Sequence, residues 1–303
     1  CVCFDRKEPT FRHERYPEYK AHRSSPPDEF IVQIPVLKSL LEQCGIPTIE
    51  KVGYEADDLI GTLSAMARKK GQKSSVLTGD QDSYQLINET TEIIVPKKGI
   101  SQKIIMDLAA LKEAYDLTPD QMKDFKALKG DPSDNIPGVL GVGEKTALKL
   151  LAEYHSLDGI YQNIEKIKSN SVRSKLQDAK EMAYLSYELV TIQCDVPIDI
   201  EWDSLMFQPN WTTIVTTFQK YAFKGLINRY EHLLETPVKE VESHPDGDYK
   251  TITDIKVLEG HLPAMKNGFA IDLETTALDI FDAKIVGIAI SYQEGKAFYI
   301  PCN

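Results

Sequence analysis

Apolar positions along this chain alternate between short β-prone runs and longer stretches at helical spacing. Residues 1–4 are short, apolar and β-prone. Phe30, Ile34, Leu37, Leu40 and Leu41 predict an amphipathic helix over residues 28–44, kinked at Pro35. A short strand region follows over 46–52, and Leu59, Ile60, Leu63, Met66 and Ala67 mark the next helix. Residues 74–78 read as a strand, with a helix from Ser83 onward, a strand region over 92–96 and a helix over 108–115. Thr118-Pro119-Asp120-Gln121 is a helix start, with Thr118 as N-cap, Pro119 as first helical residue and Gln121 as capping-box partner. Beyond Leu151 the pattern is helical over 158–167, 174–188 and 212–234. Residues 236–250, with Pro237, Pro245 and Gly247 and no apolar period, read as a linker. A new domain then opens with a strand over 268–276, followed by a hairpin of 284–292 and 296–300 around Glu294-Gly295. Strands alternating with helices predict an α/β fold with a mostly parallel sheet and flanking helices. The expected division is an α/β core over 1–127, a helical region over 128–235, the linker, and a further domain over 251–303.

Composition changes this picture little. The chain has 303 residues, enough for two domains or one large domain and a piece of another, and is 42% hydrophobic and 27% charged. No apolar run approaches the roughly 20 residues of a membrane span, and no signal-peptide pattern is present. The five cysteines (Cys1, Cys3, Cys44, Cys194, Cys302) include no C-x-x-C pair and read as reduced cytoplasmic thiols without a zinc site. A net charge of −11 argues against a basic-coated surface, yet is compatible with DNA binding where acids gather at a metal and basic groups are local. The chain starts at Cys1 inside one strand and ends as another finishes, and is read as cut at both ends.

Candidate chemistry lies where strands end and helices begin. Asp5 follows the first strand, Glu55, Asp57 and Asp58 open a helix, and Asp80 and Asp82 follow the strand at 74–78. Asp131 and Asp134 lie in Lys129-Gly130-Asp131-Pro132-Ser133-Asp134. Helix-dipole compensation accounts for one or two acids in a first turn, but three in four positions repel one another and call for a cation. Hard oxygen ligands select Mg²⁺ or Mn²⁺, and two ions about 3.5–4 Å apart can activate water and stabilise the leaving oxygen of a phosphodiester. Directly after Asp134, Gly138-Val139-Leu140-Gly141-Val142-Gly143 leads into a helix start carrying Lys145 and Thr146. Either half of this stretch by itself reads as a turn. Together they suggest a metal site beside a seat for phosphate, built from backbone N–H groups, the helix start and Lys145. Residues 6–23 are basic and interleaved with Phe11, Tyr16 and Tyr19, the composition of a single-strand contact surface, or of a solvated loop.

These motifs resemble the 5′ nuclease domain of the flap endonuclease family, followed by the start of a 3′–5′ exonuclease domain, as in the N-terminal region of the bacterial DNA polymerase I family. The carrying residues are Phe4-Asp5, Phe11-Arg12, Tyr19-Lys20-Ala21-His22-Arg23, Glu55-Ala56-Asp57-Asp58, Thr78-Gly79-Asp80-Gln81-Asp82, the stretch 130–147 and Tyr221-Ala222-Phe223-Lys224. The resemblance implies a PIN-like nuclease fold, a helix-hairpin-helix region and the first strands of an RNase H-like domain. It implies that the eight carboxylates bind two Mg²⁺ or Mn²⁺ ions, and that Arg12, Lys20 and Arg23 lie near the cleaved strand. It gives residues 138–143 a hairpin that holds duplex DNA, often with K⁺. The implied protein is a cytoplasmic, nucleoid-associated monomer acting on flapped or nicked DNA in replication and repair, and joined to a polymerase.

Two departures stand out. The family's first strand, with its apolar-Asp-Gly motif, is absent, so the chain by itself is expected to fold poorly and be inactive; Gln81 stands where a Lys is usual. Asp272-Leu273-Glu274 resembles the first carboxylate motif of proofreading exonucleases, without the partners that motif needs. A stand-alone 5′ nuclease has no use for the linker and residues 272–300. A non-catalytic DNA-binding module leaves the intact carboxylates unexplained.

Overall fold

The computed structural model describes residues 1–97, 102–234, 247–277, 279 and 281–302. Most of the expected linker falls outside the described residues. The chain forms two compact units, residues 1–233 and 234–303.

In the first unit, β1 (Val2–Cys3) pairs in parallel with β2 (Thr48–Ile49), and α1 (Phe11–Arg15), α2 (Asp28–Ile31) and α3 (Gln33–Gln43) lie between them in sequence. After α4 (Ala56–Lys69) comes a second small sheet. There β3 (Ser74–Leu77) is parallel to β4 (Thr91–Pro96), which is antiparallel to β5 (Lys103–Met106). The rest of the unit is helical, with α5 (Leu108–Tyr115), α6 (Pro119–Lys129), α7 (Glu144–Tyr154), α8 (Leu157–Gln162), α9 (Asn170–Asp178), α10 (Lys180–Val190), α11 (Trp211–Lys220) and α12 (Lys224–Tyr230).

The α6 capping box forms as its sequence dictates. The Gln121 backbone N–H donates to Thr118 Oγ1 at 3.4 Å, and the Thr118 N–H donates to Gln121 Oε1 at 3.0 Å. This helix buries Met122, Phe125, Ala127 and Leu128, in one core with Val76 and Ile93 of the sheet, Val139 of the following loop, and Leu151, Leu176 and Ala183 of the later helices. A boundary at 127/128 would cut α6 and divide that core, so the α/β and helical regions form one unit.

Other elements differ from expectation for local reasons. The helix over 28–44 is broken at Val32 rather than kinked at Pro35. The break starts α3 late enough to place Pro35 in its first turn, where a missing N–H leaves no bond unmade. The helix expected after Asp82 is the 3-10 helix Gln81–Leu86, and the one expected over 174–188 divides at Ala179. Strand β5 is an element the apolar pattern left unassigned. The expected mostly parallel pairing is present, spread over two small sheets: among the described residues of this unit β1–β2 and β3–β4 are parallel and β4–β5 is antiparallel. A groove of about 560 Å³ runs beside β1, lined by residues 1–3 and 74–77, with Leu63, Ala67 and Trp202 among its other walls.

The second unit holds β6 (Asp248–Thr251), α13 (Ile255–His261), β7 (Ala270–Thr275), β8 (Ile285–Gln293) and β9 (Lys296–Pro301) in a sheet of order β6-β9-β8-β7. The β8–β9 hairpin stands where its alternation places it. Strand β6 falls inside the expected linker, because pairing with β9 orders a segment that has no apolar period of its own. Among the described residues, no helix is long and apolar enough to cross a membrane.

Candidate metal centre and nucleic-acid interface

The strand ends and helix starts gather most of the candidate acids into two overlapping neighbourhoods. At the start of α4, the Ala56 N–H donates to Asp5 Oδ1 at 2.7 Å, tying the end of β1 to the helix N-terminus. Asp57, on the first turn of α4, faces Asp80, Asp5 and Glu55. Burial and then those three acids push its carboxyl up to about 7, against the opposing pull of Lys20. Among the described residues no ion pair to Asp57 offsets this negative charge, and Lys20 does so only in part.

In the second neighbourhood, Asp82 pairs with Lys126, which also donates to Asp131 Oδ2 at 2.8 Å. Ser133 donates to Asp131 Oδ1 through its N–H at 2.8 Å and its hydroxyl at 2.6 Å. Burial alone would raise the Asp131 carboxyl, but the bonds from Lys126 and Ser133 outweigh it and bring it to about 2. Asp80 caps the 3-10 helix, accepting from the Asp82 N–H at 2.9 Å.

Glu55 and Asp134 are joined by the segment after α1. The Tyr19 hydroxyl lies 3.0 Å from both Glu55 Oε2 and Asp134 Oδ2. Lys20 Nζ donates to Glu55 Oε1 at 2.7 Å and lies 3.6 Å from Asp134, while Arg23 pairs with Asp134 and donates to the Ser133 carbonyl at 3.1 Å. Lys20 and Arg23 therefore stand at the acid cluster.

Arg12 and Asp58 do not belong to that surface. Arg12 is 2% exposed and Asp58 0%. They form a bidentate pair at 2.7 and 2.8 Å, and Arg12 also donates to the carbonyls of Leu189 and Thr191, each at 2.8 Å. Asp58 further accepts from the N–H groups of Glu55 and Gln193. With its oxygens so engaged, Asp58 holds α1, α4 and the strand-like segment after α10 together and has no room for a metal; Arg12 likewise has no free face for DNA. The expected stacking rings are also in use. Tyr19 is buried, Tyr16 packs beside it, and Phe11 lies under the Arg12 guanidinium at 4.4 Å.

The glycine hairpin is built as a tight loop with one exposed tip. Gly138 has φ +63 and packs so closely that a Cβ there would sit 2.3 Å from the Gly130 nitrogen. Val139 and Val142 are buried, while Leu140 is 88% exposed between them. Gly141 also has positive φ, but Gly143 does not; it is the extended N-cap of α7, with Lys145 exposed in the first turn and Thr146 after it. Lys175, absent from the sequence expectations, reaches over from α9 to donate to the Gly141 carbonyl at 3.2 Å. In the second unit Asp272 and Glu274 lie on β7, an exposed strand at one end of its sheet.

Among the described residues no three metal-binding side chains stand close enough to hold one ion as they are placed. The donor set nevertheless fits a hard divalent cation, because it is all carboxylate and leaves Asp57 facing three other acids. Lys126 was legible only as a basic residue near a helix end, since nothing in the sequence places it between Asp82 and Asp131.

Comparison with known proteins places this geometry. Residues 1–116 match the model of the 5′-3′ exonuclease N-terminal resolvase-like domain, and residues 117–213 that of the 5′-3′ exonuclease C-terminal SAM fold. DNA polymerase I of Bacillus caldotenax is 37% identical over 99% of this chain and 33% of its own length. That of Bacillus subtilis is 36% identical over the same shares, 99% and 33%. DNA polymerase I of Mycobacterium bovis is 45% identical over 69% of this chain and 23% of its own. The chain thus spans about a third of the length of the first of these relatives. Among solved structures, the T5 D15 protein co-crystallised with metal ions has TM-score 0.55 at 20% identity, covering 76% of this chain and 82% of its own. The catalytic core of Rad2 with a DNA substrate has TM-score 0.51 at 18% identity, covering 78% and 79%. At these identities the structures show a shared fold. With residues 1–213 matched in order by the two models, the chain belongs to the 5′-3′ exonuclease family.

Proposed function

We propose that this chain carries the 5′ nuclease of a DNA polymerase I, hydrolysing phosphodiesters near the 5′ end of a flap or nick in DNA during replication and repair. The observation that carries this reading is the gathering of acids where β1 and β3 end and α4 begins, with Asp5 held on the Ala56 N–H at 2.7 Å and Asp57 pushed up by burial and by Asp80, Asp5 and Glu55. Such an arrangement is relieved by a divalent cation, and Asp5, Glu55, Asp57, Asp80, Asp82, Asp131 and Asp134 are its candidate ligands, with Mg²⁺ or Mn²⁺ as the ion. Related T5 structures are described as holding metal ions, and one as a complex with DNA. When bound, a pair of such ions activates water and stabilises the leaving oxygen.

The protein's own groups do the rest. Lys20 and Arg23 sit at the rim of the acid cluster, where they draw the 5′ strand's phosphates toward it. The hairpin, with the N–H groups around Gly141 and Lys145 at the start of α7, grips duplex backbone without reading bases, and its carbonyls offer a seat for K⁺. The protein acts as a monomer in the bacterial cytoplasm, at the nucleoid. Asp272 and Glu274 are the first carboxylates of a proofreading site.

The test is cleavage of a labelled 5′ flap by the full-length polypeptide. Lys20→Ala with Arg23→Ala is expected to slow cleavage more than it weakens duplex binding. An equal loss of both would return residues 6–23 to the status of a solvated loop.

A further inference from the structure

Two carboxylates of the cluster are bridged by a single ammonium group. Lys126, near the end of α6, pairs with Asp82 and lies 2.8 Å from Asp131. All three side chains are largely buried, at 13%, 13% and 14% exposure. Asp82 Oδ1 is shut off from solvent and no hydrogen-bond donor other than this cation reaches it among the described residues. The two acids come from separate elements, one from the 3-10 helix after β3 and the other from the loop after α6. One cation joining two such carboxylates is the connection a bridging divalent ion makes. Lys126 borders an open cavity of about 330 Å³ that Asp80, Asp131, Ser133 and Lys129 also line, so there is free space directly beside the two carboxylates.

We propose that Lys126 is a resident cation occupying a metal seat. In the metal-free protein its ammonium neutralises Asp82 and Asp131 and keeps them from repelling each other. In this exchange Asp82 and Asp131 are released to hold a divalent ion only when the Lys126 ammonium swings off them, for which the open cavity leaves room. Lys126 is thus a positioning residue that sets how tightly the metal is held. The inference rests on the metal-dependent reading of the site proposed above. It also accounts for the failure of the acids to form a ready three-ligand group as they stand.

The experiment is calorimetric titration of Mn²⁺ into the full chain and its Lys126→Met, Lys126→Arg and Asp131→Asn variants, with unfolding followed with and without metal. Lys126→Met is expected to bind Mn²⁺ at least tenfold more tightly, to unfold at a lower temperature without metal, and to gain more from added Mn²⁺. Lys126→Arg, which keeps the charge, should bind as weakly as the parent. If the parent binds through Asp131 but Lys126→Met binds no more tightly, the exchange is overturned while the metal reading stands. If Asp131→Asn binds like the parent, the exchange is overturned while the metal reading stands; if neither the parent nor any variant binds, the metal reading falls and the exchange with it. Should Lys126→Met fail to fold, the parent decides. A saturable shift of the Lys126 Cε resonance on adding Mg²⁺ is expected, and an unmoved resonance at saturating Mg²⁺ overturns the exchange.

Discussion

Arg12 and Asp58 show what a single buried charge pair is for in this protein. Replacing Arg12 by Leu strands a fully buried carboxylate, which typically costs about 3–5 kcal/mol. Urea unfolding should show a loss of that size, with a much smaller loss when Asp58→Asn is added to Arg12→Leu. Asp124 makes a contrasting case. It is buried, accepts from the Leu157 N–H at 2.9 Å, and burial raises its carboxyl to about 6. Its folded value lies above its unfolded one, so the stability it lends is complete below about pH 4 and is lost as pH rises through 6. Asp124→Asn keeps an acceptor for Leu157 and should outlast the parent in urea by up to about 3 kcal/mol at pH 8, with the gap closing near pH 4. The candidate acids were legible because each sits at a strand end or helix start. Which of them is structural was not, since Arg12 and Asp58 are 46 residues apart and only the fold joins them.

At the scale of elements, the hairpin combines two kinds of glycine. Gly138 has backbone where a side chain would go, so Gly138→Ala should disorder the loop and lower the unfolding temperature. Gly141 faces only the flexible end of Lys175, and its demand is conformational, at φ +79. Gly141→Val should therefore leave the core intact and weaken binding to all duplex sequences alike, with the log-linear salt dependence of a backbone grip. Selective loss of one sequence, or undiminished affinity, would count against that role. Helices with a cap signal, such as α6, could be read from sequence to their first residue. Strand β5 could not, because Lys103–Met106 is four residues long and its pairing with β4 is tertiary.

Across the whole molecule, the line drawn from sequence at 127/128 falls inside α6. A chain break in function between 127 and 128 would pass through α6, which carries the core of both regions and delivers Lys126, Asp131 and Asp134 to the acids after β1 and β3. Packing of this kind leaves no composition shift to find. The second unit is compact by itself, so Asp272→Ala with Glu274→Ala should leave 5′ cleavage within about twofold of the parent. The most direct test of the metal-dependent nuclease is Mg²⁺-dependent cleavage of a 5′-flap duplex by the full-length polypeptide and its Asp57→Asn variant. Cleavage should stop with chelator, return with Mg²⁺, and fall on the order of 100-fold or more in Asp57→Asn at an unchanged unfolding midpoint. Cleavage that persists in chelator, or that survives Asp57→Asn within a few-fold, would contradict it.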